Sequence, residues 1–141
     1  MSTDAGTDAS KLTTVIAWLG VAVVVGVGVL AGVLECELVP LYVGGTVFPI
    51  AVVGALVSNI VLPRMARSLV PTTVAAVLPF LGWLAVIIVF GAGSRPEGDV
   101  ILPGGGALAY VSYGVMLGGA LAGMVSIVTS APPPALSSKR R

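Results

Sequence analysis

The sequence predicts an all-α integral membrane protein, a four-helix transmembrane bundle. Three observations predict it. Four apolar stretches, 12–34, 41–62, 71–93 and 107–129, are each 22 or 23 residues long and contain no Asp, Glu, Lys or Arg. A bilayer core of about 30 Å takes about 20 helical residues to cross. Charged residues make up only 9% of the 141-residue chain, and mean hydropathy is +1.09. A soluble domain carries about 25% charged residues, so this chain has too little polar material to cover a water-facing surface. The segments also lack the polar–apolar alternation of membrane strands, which argues against a β-barrel.

Residues 1–11 read as a disordered N-terminal arm rich in Ser, Thr, Asp and Gly. The first segment is too long for a signal-peptide core of about 7–15 residues, and Asp4 and Asp8 outweigh Lys11 before it. It therefore reads as a retained helix. Val is a mediocre helix former in water, but a segment in lipid must satisfy its own backbone, so helix wins. This helix is expected to end at Glu35-Cys36-Glu37.

Pro40 and Gly44-Gly45 weaken helix at the start of the second segment, whose regular part begins nearer Thr46, with Pro49 in its first turn. It is expected to close at Pro63-Arg64, followed by a short basic loop to Pro71. The third segment opens at Pro71, a favourable first-turn position, and should kink at Pro79. Trp83 lies near its middle and is expected to face another helix, whereas Trp18 and Tyr42 suit interfacial positions. The connection from Ser94 to Gly106 holds turn residues and an apolar triplet, Val100-Ile101-Leu102. Residues 12–130 form the transmembrane domain, and 131–141 form a Pro-rich basic tail in which Pro132-Pro133-Pro134 stops the last helix.

Basic residues set orientation. Lys11, Arg64, Arg67, Lys139, Arg140 and Arg141 fall on one side, and only Arg95 on the other. Both termini are thus expected in the cytoplasm of a multi-pass plasma-membrane protein. Glu35, Glu37, Glu97 and Asp99 fall on the outer side, with Arg95. They form a possible outer-face polar site, although solvated loop charges are the plainer reading. The two outward hairpins echo each other faintly, with two acids, a Pro and glycines in each.

The strongest packing signal is in the fourth segment. Gly114, Gly118 and Ala122 repeat at four-residue spacing, with Gly119 and Gly123 on an adjacent face; Gly28 and Gly32 do the same in the first segment. Small residues at this spacing let helices approach closely in lipid. They read as contacts within the chain or as a partner interface.

No His is present, and Cys36 is the only cysteine. A catalytic dyad or a Cys-rich metal site therefore has no residues to build it, and no catalytic, cofactor or metal residue is expected. Cys36 reads as an idle thiol. No acid falls inside the four spans as bounded, which argues against a proton-coupled pump of the small four-helix drug-exporter kind. Nothing in the chain suggests nucleic-acid binding.

Arg95-Pro96-Glu97-Gly98-Asp99, the Gly-rich stretch after it and the Gly-dense helix with Gly114, Gly118 and Gly119 resemble a family of small actinobacterial membrane proteins of unknown function. The resemblance loosely spans 12–129. It implies an actinobacterial plasma membrane and a four-helix layout, and it supplies no catalytic residues.

The function expected from the sequence is a non-enzymatic accessory or scaffold subunit of a larger membrane complex. Its partners would be the lipid bilayer and another membrane protein, or a second copy engaged through the fourth helix. The alternative is a small oligomeric transporter or channel with Ser58, Asn59, Ser112 and Tyr113 along its path.

Overall fold

The structure, a computed structural model, describes residues 3–92 and 101–130, with residues 3–7 and 92 described by backbone alone. Helix α1 runs Thr3–Leu38, α2 Ile50–Leu69 and α3 Thr73–Ala92. The fourth helix, Gly106–Thr129, joins a 3-10 turn, an α-helical turn, a π-helical turn at Gly114–Gly118 and a closing α-helix. All four helices are long and apolar enough to cross a membrane. Their outer faces are rows of exposed Leu, Val, Ile and Met, such as Leu19, Val23 and Leu30 on α1 and Leu117, Leu121 and Val128 on the fourth helix. Apolar rows of this extent suit lipid contact and would aggregate in water.

Helix α1 exceeds its expected bounds at both ends. From Thr3 to Leu38 it covers 36 residues, about 54 Å at 1.5 Å per residue. The arm expected to be disordered is thus helical from Thr3. Thr13 and Thr14 donate their hydroxyls to the Ala9 and Ser10 carbonyls, at 2.9 and 3.0 Å. Such local bonds satisfy the hydroxyls within the helix, sharing carbonyls with its ladder. Lys11 and Asp8 form an exposed pair at 3.9 Å, a contact worth little in water. At the other end, Glu35, Cys36 and Glu37 lie inside the helix rather than after it. Two charges do not stop a helix whose carboxylates are partnered or face water.

Residues between α1 and α2 form a β-hairpin. Tyr42–Val43 (β1) pairs antiparallel with Thr46–Val47 (β2), Tyr42 opposite Val47 and Val43 opposite Thr46. Gly44 and Gly45 have φ of +60° and +82°. Two consecutive positive φ values make the type I′ turn that suits a two-residue hairpin, and glycine adopts it freely. The second helix accordingly starts at Ile50, later than expected, with Pro49 just ahead of it.

Helix α2 passes through Pro63 instead of closing there. A proline inside a helix removes one ladder bond and crowds the preceding turn, and side chains of neighbouring helices can take up the freed carbonyls. The carbonyl left without its N–H is that of Asn59, four residues before Pro63; Ser126 of the fourth helix donates to the next one, that of Ile60, at 2.7 Å. The stretch expected as a basic loop is therefore helical, with Arg67 in its last turn. Helix α3 starts at Thr73, after Pro71 and not at it. Thr72 caps it, its Oγ1 accepting the Ala75 N–H at 3.2 Å.

The four helices are arranged around the α2–α3 pair. α1 packs on both members of that pair, and the fourth helix packs on its other side, chiefly against α2. One core cluster joins Cys36, Ala51, Ala55, Trp83, Ile87, Val111 and Val115; a second, at the opposite end, joins Val21, Val24, Leu62, Ala66, Val70 and Ala75. Small residues dominate, so backbones approach closely. A Cβ on Gly28 would stand 2.8 Å from the Pro79 carbonyl oxygen, and one on Gly32 would stand 3.2 Å from both the Trp83 ring and Val86. Pro79 of α3 therefore touches the bare backbone of α1.

Candidate functional site: a carboxyl held between three helices

The buried stripe of α1 is Val21, Val24, Gly28, Gly32, Glu35 and Cys36. Its spacing of three and four keeps one face toward the bundle. Glu35 falls on that stripe and is only 4% exposed. Glu37, two positions on, turns outward and is exposed, as the helical period requires.

Burying a carboxyl in an apolar setting is unfavourable unless donors meet it. Two do. The Trp83 indole Nε1–H of α3 donates to Glu35 Oε2 at 2.6 Å, and the Ser58 hydroxyl of α2 donates to Oε1 at 2.8 Å. One carboxyl thus ties three helices together. Both oxygens act as acceptors, the role an ionised carboxylate fills.

Trp83 is itself wedged at the centre of the bundle. It is 1% exposed, stacks on Phe80 with ring centroids 6.1 Å apart, and lies against Gly32 on one side and Gly119 on the other. The indole has one donor, and Glu35 takes it. Replacing Trp83 with Phe should leave the carboxyl one donor short and open a small void. The expected result is a loss of about 1–3 kcal/mol in a reversible unfolding titration in detergent micelles. An unchanged midpoint would mean that the indole N–H is not what holds the carboxyl.

Beside this cluster a lateral groove of about 390 Å³ runs between α1 and α2. Val27, Ala31, Leu34 and Leu38 line it from α1; Gly54, Val57, Ser58, Val61 and Leu62 line it from α2. Among the described residues Glu35 is its one ionisable lining residue. Gly54 packs directly against Glu35 on that side, with no side chain between them. A Cβ there would stand 3.3 Å from Glu35 Cγ and 3.6 Å from Oε1.

The remaining expected site residues divide into three groups. Gly114, Gly119 and Gly123 meet their own chain: Cβ atoms would run into Val52, the Trp83 ring and the Phe80 ring respectively, while Gly118 meets Leu56 at an ordinary 3.5 Å. Ala122 is buried too. The tightest contacts lie on the Gly119–Gly123 face, and like those of Gly28 and Gly32 they are within the chain. Ser112 bonds the Leu108 carbonyl, Asn59 the Ala55 carbonyl and Tyr113 the Gly104 carbonyl, so these polar groups do not converge on one cavity. Arg95, Glu97 and Asp99, with the motif that carries the family resemblance, lie outside the described residues, as does the basic tail. Among the described residues no cluster of metal-ligating side chains forms. Cys36 is fully buried in the core beside Glu35.

The expectation of spans without a buried acid is corrected by Glu35. The signal was in the chain: continuing the Gly28–Gly32 stripe by three residues lands on Glu35. It was hidden by ending the helix at its first charge. No known protein family, curated protein or solved structure matches this chain.

Proposed function

We propose that this chain is a small, non-enzymatic membrane transporter that binds a lipophilic cation at Glu35, with both termini in the cytoplasm. The observation that supports this reading is Glu35, a buried acid that lines an apolar groove between α1 and α2. An ionisable side chain inside a membrane bundle is costly and by default marks a functional site. A groove with apolar walls and one acid favours a ligand with an apolar body and a positive head. Ser58 and Trp83 hold the carboxyl in place, and the head would approach from the groove. The distribution of Lys11, Arg64 and Arg67 supports the orientation.

The accessory-subunit reading drew on two features of the sequence, a Gly-rich face free for a partner and a lack of buried chemistry. The Gly-rich face is taken up within the chain, and Glu35 supplies buried chemistry. The transporter reading therefore has the stronger support.

The test is uptake by proteoliposomes of the purified protein, with tetraphenylphosphonium as probe. Saturable uptake above empty liposomes is the expected result. Uptake at the level of empty liposomes, with a stoichiometric partner protein found by mass spectrometry of the gently purified native sample, would return the assignment to an accessory subunit.

A further inference from the structure

At the end of the bundle opposite Glu35, a second cleft of about 390 Å³ is lined by Arg64, Arg67, Ser68, Pro71 and Ser130. It lies where α2 ends, α3 begins and the fourth helix stops. Its chemistry is the reverse of the Glu35 groove: among the described residues two guanidinium groups line it and no acid does.

The donors here are incompletely used. Arg67 Nη1 is buried and has no hydrogen-bond partner among the described residues. Among the described residues Arg64 Nη2 reaches the Thr129 hydroxyl, at a long 3.5 Å. The two serines are differently placed, because both give their protons to backbone carbonyls, Ser68 to Met65 and Ser130 to Ser126. The guanidinium N–H groups are therefore the donors most open to an anion in the cleft. A buried guanidinium nitrogen without a partner costs free energy, and the partner that two such forks fit is a tetrahedral oxyanion, bound bidentately. The C-terminal ends of α2 and the fourth helix disfavour an anion. Two full positive charges and the N-terminal end of α3 at Thr73 outweigh them.

We propose that this cleft binds the phosphate of an anionic phospholipid headgroup. The location selects lipid as the source. The cleft sits at the ends of apolar spans, one helical turn past residues such as Ile60, Val61 and Leu62, where headgroup phosphates lie. An interfacial basic residue attracts anionic lipid, and a cleft with an unpaired buried N–H adds a specific contact to that attraction. The site is separate from Glu35 and does not depend on the transport reading.

Native mass spectrometry of the full chain released from mixed micelles tests it, with phosphatidylglycerol and phosphatidylcholine supplied in equal amounts. The wild type should retain phosphatidylglycerol preferentially. Arg67→Gln should lower that preference about fivefold, the scale of one basic residue at an anionic surface. Lys11→Gln, which removes an exposed charge outside the cleft lining, should leave it unchanged. Equal losses in the two variants would reduce the effect to diffuse surface charge and overturn the site. Displacement of the bound lipid by millimolar inorganic phosphate would make a soluble oxyanion the ligand and overturn the lipid assignment. Should Arg67→Gln fold poorly, Arg64→Gln is the second variant, and full lipid preference in it would count against the cleft.

Discussion

Glu35→Gln should abolish cation uptake while leaving the bundle folded. Glutamine nearly matches glutamate in shape, and the local hydrogen bonds can be remade around it. Its Oε1 can accept the Trp83 Nε1–H. Its amide can then donate to Ser58 Oγ, and the Ser58 proton can turn to the Ala55 carbonyl, already 3.4 Å away. What glutamine cannot supply is negative charge beside the groove. Glu35→Ala should behave differently. It strands the indole N–H and the Ser58 hydroxyl and leaves a void between three helices. The expected cost is roughly 1–3 kcal/mol from the stranded donors alone. Uptake in proteoliposomes and an unfolding titration in micelles separate the two effects. Normal uptake by a folded Glu35→Gln protein would sink the proposal that this carboxyl binds the substrate. Equal stability of the Gln and Ala variants would mean that the hydrogen bonds to Glu35 contribute nothing to the fold.

Gly119→Ala should destabilise the bundle far more than Gly118→Ala, although the two glycines are neighbours in the same helix. A methyl group at position 119 would stand 2.5 and 2.6 Å from two atoms of the Trp83 ring and 3.2 Å from the Ala55 methyl. Trp83 cannot yield easily. It is stacked on Phe80, bonded to Glu35 and pressed against Gly32. Overpacking of this kind costs about 1–3 kcal/mol. At position 118 the nearest atom is a Leu56 methyl at 3.5 Å, an ordinary contact. A change there should stay within about 0.5 kcal/mol. The comparison is an unfolding titration of both variants in the same detergent. Equal effects would show that the fourth helix does not sit on Trp83 as described. A change in assembly caused by Gly118→Ala alone would point to a partner on that face.

Much of the architecture was legible from residue type alone. Four uncharged runs of bilayer length mark four helices, because lipid leaves a backbone no other way to satisfy itself. The four-residue spacing of Gly28 and Gly32, and of Gly119 and Gly123, marks close helix contact, because only bare backbone permits it. Trp83 at the middle of an apolar span marks a residue facing another helix. Three features run against their nearest local signal. Pro63 reads as a stop, yet α2 continues through it to Leu69, packed there against the fourth helix, whose Ser126, 66 residues distant, bonds the Ile60 carbonyl. Gly44-Gly45 reads as weakened helix, yet it forms a hairpin, because positive φ at both residues matches the twist of a strand pair. Glu35 reads as a loop charge, yet it lies in the core.

The case of Glu35 shows where the division falls. Sequence determined the helices and the small-residue stripes, since these follow from the period of one helix and the chemistry of one solvent. Tertiary structure decided which faces meet, and therefore which polar groups are buried. Whether a carboxyl near a helix end faces water or a neighbour depends on donors that only folding brings to it, here an indole 48 residues away and a hydroxyl 23 residues away. Those two bonds offset the loss of water, and no local pattern around Glu35 records them.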